Sequence, residues 1–281
     1  MTPTGATVVA GVIGSPVRHS LSPALHNAAF EAAGLDWTYA AFEVGPGGAQ
    51  AALDAMRTLG LGGLSVTMPL KDEAFAAVDE ADESAAALRC VNTVVRDGDR
   101  LVGRNTDGAG FVASLRADAG FEPQDTRVVV LGGGGAARAV VHALAGCGAG
   151  EVVVVNRTAE RAERAAALAG GRGRVGTPTA VRDADLVVNA TSVGMGQAAT
   201  EASLPCDPHL LHAGQLVADL VYHPLETGLL AAARAQGAAV LDGLGMLVHQ
   251  AALQQLLWTG RCPDVAVMRA AGERELSRRG G

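Results

Sequence analysis

Four consecutive glycines stand between an apolar strand and a helical pattern, and this arrangement constrains the chain more than any other. Val128–Leu131 runs straight into Gly132, Gly133, Gly134, Gly135, Ala136 and Ala137, and a helix is predicted over Ala136–Cys147. Gly132, Gly134 and Ala137 fill the three small positions of G-x-G-x-x-A. The first allows a tight turn. The second lets backbone N–H groups approach a pyrophosphate, and the third lets the helix pack on the strand. The chain carries 37 glycines in 281 residues, so a lone match also arises from purely structural glycine. The surroundings therefore decide. The next strand ends about 20 residues on, where a dinucleotide site reads its ribose. Asn156, Arg157 and Thr158 stand there, with Arg161 one turn later, while Glu151 lies at the wrong end of the strand. An arginine fork suits a phosphate dianion. A 2′-phosphate site, hence NADP(H), is the sharper reading. Solvent-facing arginines at a helix start are the plainer one. A charge-assisted bond of this kind is worth roughly 1.5–3 kcal/mol, or about 10- to 150-fold in cofactor preference.

The rest of the chain repeats the alternation. Strands are predicted at Thr7–Ile13, Trp37–Val44, Gly63–Val66, Val91–Val95, Arg127–Leu131, Glu151–Val155, Asp185–Asn189, Gln215–Leu220 and Ala238–Leu241. Helices are predicted at Pro23–Ala33, Gly47–Leu59, Gly108–Ala119, Ala136–Cys147, Ala159–Ala169, Glu226–Gln236, Leu244–Trp258 and Val265–Arg278. Such a pattern implies an α/β fold of parallel sheets covered by helices on both faces. Arg96–Asp99 reads as a turn, which makes Val91–Arg104 a hairpin. A domain boundary falls near Asn105, where a fresh strand–loop–helix unit follows. The polar loop from Asn189 to Met195 ends an apolar strand, where an open α/β sheet binds ligand.

Composition excludes several classes. Hydrophobic residues make up 49% and the net charge is only -7, so global disorder is out. Aromatic residues are 3%, too few for a base-stacking surface, and the acidic balance argues against a nucleic-acid partner. The first 17 residues are uncharged but lack a basic start and are broken by Gly and Pro. Gly243–Gly260 contains His249 and three glutamines, a poor membrane span. Cys90, Cys147, Cys206 and Cys262 form no C-x-x-C, so neither a metal site nor a disulfide framework is expected. A cytoplasmic protein with no membrane partner is the expectation.

Chemistry enters with hydroxyls and one cation. Ser20 and Ser22 sit two residues apart just before a helix. They can face a carboxylate with help from the helix dipole, or they can simply cap it. Ser65-Val66-Thr67-Met68-Pro69-Leu70-Lys71 ends a strand with a hydroxyl and then a lysine. The 22 basic residues comprise 21 arginines and this single Lys71. Retaining one lysine where arginine serves everywhere else suggests a task arginine cannot do, namely losing a proton near neutral pH. A surface lysine without a task is the ordinary alternative. Asp107, after Asn105-Thr106, reads either as a helix N-cap or as the acid partner of Lys71 in a dyad.

Taken together, HSLSPALHN, SVTMPLK, VNTV, GRNTDGAGF, GGGGAARA, NRT, NATSVGM, DLVYHPLET and DGLGMLVHQA resemble the shikimate dehydrogenase family, in family order and across nearly the whole chain. Gly133 replaces a common Ala, and Leu70 a frequent His or Phe. The resemblance implies a substrate-binding α/β domain at 1–106 and a Rossmann-type NADP-binding domain at 107–242. C-terminal helices at 243–281 would return to the first domain. It implies reversible NADPH-dependent reduction of 3-dehydroshikimate to shikimate, in aromatic amino-acid biosynthesis, by a monomer or homodimer. Ser20 and Ser22 would bind the substrate carboxylate. Thr67, Asn92, Asp107, Tyr222 and Gln250 would bind its ring hydroxyls. Lys71 would protonate the developing alkoxide, with Asp107 orienting it. Gly132, Gly133, Gly134, Gly135 and Ala136 would hold the pyrophosphate, and Asn156, Arg157, Thr158 and Arg161 the phosphorylated ribose. Thr191, Leu220, Gly243 and Met246 would line the cofactor channel. His249 is read as a weak candidate acid, and His19, His26 and His223 as packing residues. A quinate or aminoshikimate dehydrogenase on the same scaffold, and a non-catalytic NADP-binding sensor, are the rival readings.

Overall fold

The computed structural model describes residues 2–196 and 204–280. Its contacts divide the chain into two compact units, one of 1–106 with 248–281 and one of 107–247.

The first unit opens with β1 (Val8–Gly14), α1 (Ser22–Ala32), β2 (Trp37–Glu43), α2 (Ala49–Leu59) and β3 (Gly63–Val66). There follow α3 (Lys71–Ala77), β4 (Glu80–Ala81), α4 (Glu83–Leu88), β5 (Thr93–Asp97) and β6 (Arg100–Arg104). The sheet order is β2-β1-β3-β5-β6-β4. β1 pairs in parallel with β2 and β3, but β5 is antiparallel to both β3 and β6. This sheet is therefore mixed, with the expected hairpin beside its parallel strands. The β5–β6 hairpin leaves no room for a crossover helix, so its strands must run in opposite senses. The expected hairpin is present, although its first strand begins at Thr93 rather than Val91.

The second unit contains α5 (Asp107–Ala119), β7 (Arg127–Leu131), α6 (Gly135–Gly146), β8 (Glu151–Val155), α7 (Ala159–Ala166) and β9 (Gly173–Val175). It continues with β10 (Leu186–Asn189), β11 (Leu216–Asp219), α8 (Gly228–Ala235) and β12 (Ala239–Leu241). Then α9 (Gly243–Thr259) leads to α10 (Val265–Gly280), which packs on α1 in the first unit. The sheet order is β12-β11-β10-β7-β8-β9, and every pairing in it is parallel. This is the doubly wound order, with the winding direction reversing between β7 and β10. Val128, Val129 and Val130 of β7 and Val152, Val153 and Val154 of β8 are all buried completely. Valine suits such strands because its branched side chain fits the pleated surface on both faces. Full burial of each is worth about 1.5–3 kcal/mol.

Several local expectations change. Ser22 is not a cap: it is the first residue of α1, Leu21 precedes it without a side-chain bond, and Ser20 Oγ accepts from the Ser22 amide at 3.2 Å. Asp107 is likewise the first residue of α5 rather than the cap before it. The helix expected over Ala159–Ala169 stops at Ala166, and a 3-10 turn with Gly170 at φ 57 follows. The helix expected from Glu226 begins at Gly228, because Thr227 Oγ1 accepts from the Leu230 amide at 3.3 Å and caps it. α3, α4 and β9 were not expected; each is too short to carry a clear period. No helix among the described residues is long and apolar enough to cross a membrane.

Candidate active site

In the first unit the candidate residues gather around the carboxyl ends of β1 and β3. These parallel strands meet closely: the Thr67 amide donates to Ile13 O at 2.9 Å and the Ser15 amide to Met68 O at 3.0 Å. Thr67 follows directly on β3 and is half-buried. The next turn ends at Leu70, and Lys71 opens α3. Two backbone bonds bring Lys71 and Asn92 together. The Val91 amide donates to Lys71 O at 3.0 Å, and the Val66 amide donates to Asn92 O at 2.8 Å. Lys71 is half-buried and Asn92 is buried. Ser22 is also buried. The segment before it is clamped from α10, where the Arg279 guanidinium donates to His19 O and, at 3.4 Å, to Ser20 O. Gln250 is buried on α9, one turn before Gln254, whose side chain bonds to Ser65 and Thr93. Residues four apart share a helix face, so Gln250 points to the same side.

In the second unit the loops after β7 and β10 form the crevice at the reversal point. Gly132 has φ 120, and a Cβ there would lie 2.8 Å from Ala190 O. Only glycine permits this turn and this approach. Gly134 precedes α6 with φ -83, offers no side-chain cap, and has nothing within 4 Å of where a Cβ would stand. The first N–H groups of α6 have no side-chain cap and suit an anion. Ala137 is wholly buried, as the third small position requires. A Cβ on Gly133 would lie 3.0 Å from Arg161 Cβ and O, so the second glycine lets α7 approach the loop. Arg157 and Arg161 are exposed, and Asn156 Nδ2 braces their turn by donating to Thr158 O at 3.0 Å. Glu151, at the far end of β8, is held by Arg127 at 2.8 Å and by Arg174. The Arg174 guanidinium, with Arg127, keeps its carboxyl below the usual range despite some burial. The open glycine cradle, the uncapped helix start and the two arginines fit a 2′-phosphorylated dinucleotide.

Thr191 belongs to a lock the motif reading overlooked. Its amide and hydroxyl both donate to Asn189 Oδ1, at 3.1 and 2.7 Å, and Asn189 Nδ2 donates to Asp219 Oδ1 at 2.8 Å. Asp219 also accepts from Thr227 at 2.7 Å and the Val221 amide at 3.0 Å. Burial pushes the Asp219 carboxyl up, partly opposed by those three donors. The available signal was a polar residue ending each of two apolar strands. Leu220 and Gly243 are adjacent: a Cβ on Gly243 would lie 2.5 Å from Leu220 O. Met246 lies one turn further along α9 and packs on the core of the second unit. Asp107 and Tyr222 fall in the second unit, Lys71 in the first.

Three family models match the chain: the shikimate dehydrogenase substrate binding domain over residues 12–94, shikimate / quinate 5-dehydrogenase over 116–197, and the shikimate 5'-dehydrogenase C-terminal domain over 243–271. The shikimate dehydrogenase (NADP(+)) of Moorella thermoacetica is 48% identical over 273 residues, 94% of this chain and 92% of that protein. That of Geobacter metallireducens is 44% identical, covering 95% and 96%. Shikimate 5-dehydrogenase from Thermus thermophilus, solved in complex with NADP(H) and shikimate, superposes with a TM-score of 0.89 at 39% identity, covering 96% of this chain and all of that one.

Proposed function

The chain belongs to the shikimate dehydrogenase family, and from that premise we propose that it catalyses the reversible NADPH-dependent reduction of 3-dehydroshikimate to shikimate. It is an NADP-dependent oxidoreductase, and this step belongs to the biosynthesis of aromatic amino acids. The observation that carries the reading is Lys71, the single lysine of the chain, opening α3 with its carbonyl bonded to the residue before Asn92.

Bound NADPH supplies a hydride to the ketone carbon. The residues of this chain must hold the ring in place and deliver one proton. Ser20 and Ser22 take the carboxylate through hydroxyl donors. Thr67, Asn92, Asp107, Tyr222 and Gln250 take the ring oxygens. As negative charge grows on the former ketone oxygen, the Lys71 ammonium donates a proton to it, and Asp107 orients that ammonium. In the reverse direction neutral Lys71 receives the hydroxyl proton. Gly132 to Ala136 hold the pyrophosphate, and Asn156, Arg157, Thr158 and Arg161 hold the phosphorylated ribose. Thr191, Leu220, Gly243 and Met246 line the nicotinamide side. Residues 1–106 serve as the substrate domain, 107–242 as the NADP domain, and 243–281 return to the first. The enzyme works in the cytoplasm as a monomer or homodimer.

The test follows nicotinamide absorbance with shikimate or quinate, each with NADP+ or NAD+. Rapid turnover with shikimate and NADP+ alone supports the proposal. A preference for quinate or NAD+ moves the chain to another activity on this scaffold. Folded protein that binds NADP+ but turns over neither substrate overturns an enzymatic role.

A further inference from the structure

Beneath Asn92 runs a hydrogen-bonded chain with a single direction. Tyr39 Oη donates to Ser65 Oγ at 2.6 Å, and Ser65 Oγ donates to Gln254 Oε1 at 2.7 Å. Gln254 Nε2 donates to Thr93 Oγ1 at 3.0 Å and to Asn92 O at 3.3 Å. Thr93 Oγ1 donates to Asn92 Oδ1 at 2.7 Å, and the Thr106 amide donates to the same oxygen at 2.9 Å. Asn92 Nδ2 then donates to Thr106 Oγ1 at 3.0 Å. Each hydroxyl has one proton to give, so each bond sets the sense of the next. All six side chains are 5% exposed or less, so water cannot replace a missing partner. The chain thus spans strands β2, β3 and β5 and helix α9. It ends on Asn92, read as a ring-hydroxyl ligand.

The orientation of Asn92 follows from this. With the Thr93 hydroxyl and the Thr106 amide and hydroxyl aimed at Oδ1, a flipped amide would set Nδ2 against them and leave buried N–H groups unpaired. That costs far more than an ordinary hydrogen bond gains. We propose that Tyr39, Ser65, Gln254 and Thr93 are positioning residues that hold the Asn92 amide in one orientation for substrate recognition. The proposal rests on the reading of Asn92 as a substrate ligand.

Steady-state kinetics with shikimate and NADP+, together with thermal melting, test it. Gln254→Leu keeps the bulk and removes both polar atoms; Thr93→Val keeps the shape and removes the hydroxyl; Thr93→Ser keeps the hydroxyl. The first two are expected to raise KM for shikimate about tenfold, the value of one well-placed hydrogen bond, with kcat and KM for NADP+ within about twofold of the parent. Thr93→Ser stays near the parent, and Gln254→Leu adds little in an Asn92→Ala background. If Gln254→Leu does not fold, Thr93→Val and Thr93→Ser decide the matter. The proposal is overturned if Asn92→Ala raises KM for shikimate while the folded variants leave it unchanged. It also fails if Gln254→Leu acts equally strongly without Asn92. An Asn92→Ala enzyme with unaltered KM for shikimate overturns the substrate assignment itself, a separate result.

Discussion

Gly132 and Ala190 approach so closely that a Cβ on the first would stand 2.8 Å from the carbonyl oxygen of the second. This contact joins the loops after β7 and β10 at the point where the second sheet reverses its winding. Gly134, two residues on, has no such neighbour. The two glycines therefore have different jobs, and substitution separates them. Gly132→Ala combines a clash with an unfavourable φ and is expected to cost about 1–3 kcal/mol of stability in urea unfolding. Gly134→Asp meets no protein atom and keeps an ordinary φ, so its melting temperature stays near the parent value. It places a carboxylate where a pyrophosphate is read to bind, and NADP+ affinity by calorimetry falls about tenfold or more. A Gly134→Asp protein that binds NADP+ normally would remove the cradle from the cofactor site.

Lys71 is read as the proton donor. Lys71→Ala is expected to lower kcat by about 10²–10⁴-fold, the usual span for a positioned acid. NADP+ affinity is unchanged. Lys71→Arg stays poor, because a guanidinium does not release a proton near neutral pH. Stopped-flow turnover beside NADP+ titration measures both; equal losses in rate and cofactor affinity would contradict a chemical role.

Arg157 and Arg161 stand exposed past the end of β8, with no carboxylate at that strand end. Arg157→Ala is expected to weaken NADP+ binding about tenfold and to spare NAD+. The ratio of the two dissociation constants is the decisive quantity. An unmoved ratio would reassign both arginines to the solvated surface.

His26 lies wholly buried between aromatic rings, stacked on Tyr39 with centroids 4.3 Å apart. Burial lowers its pKa from 6.5 to about 4, with Gln255 and Gln254 opposing in part. The unfolded chain therefore takes up a proton near pH 6.5 that the folded protein refuses until about pH 4. The neutral imidazole's contribution is complete above the unfolded value and is lost as pH falls through that window. At pH 5 the loss amounts to about 2 kcal/mol relative to pH 7.5. His26→Phe removes the titrating group, and urea unfolding of this variant is expected to show a pH slope shallower than the parent's by that amount. Parallel slopes would show that His26 does not titrate in this window.

The alternation of strands and helices, the glycine turn before α6, the arginines beyond β8 and the singular lysine are all legible along the chain. These are local signals. Strand burial, φ freedom and charge type act within a few residues, and a linear reading captures them. The candidate site is legible as a set of motifs, because most of them stand at a strand end or a helix start. Which motifs support one another depends on the packing of distant segments. The antiparallel entry of β5 into the first sheet brings Asn92 beside Val66. Ser22 reads along the chain as a helix cap, and the fold makes it the buried first residue of α1. Gln254 carries no motif of its own, and its partner Ser65 lies 189 residues away in sequence. Which buried polar groups meet depends on how helices and strands distant in sequence pack together. A buried donor must find an acceptor wherever the fold supplies one, and no spacing along the chain encodes that choice.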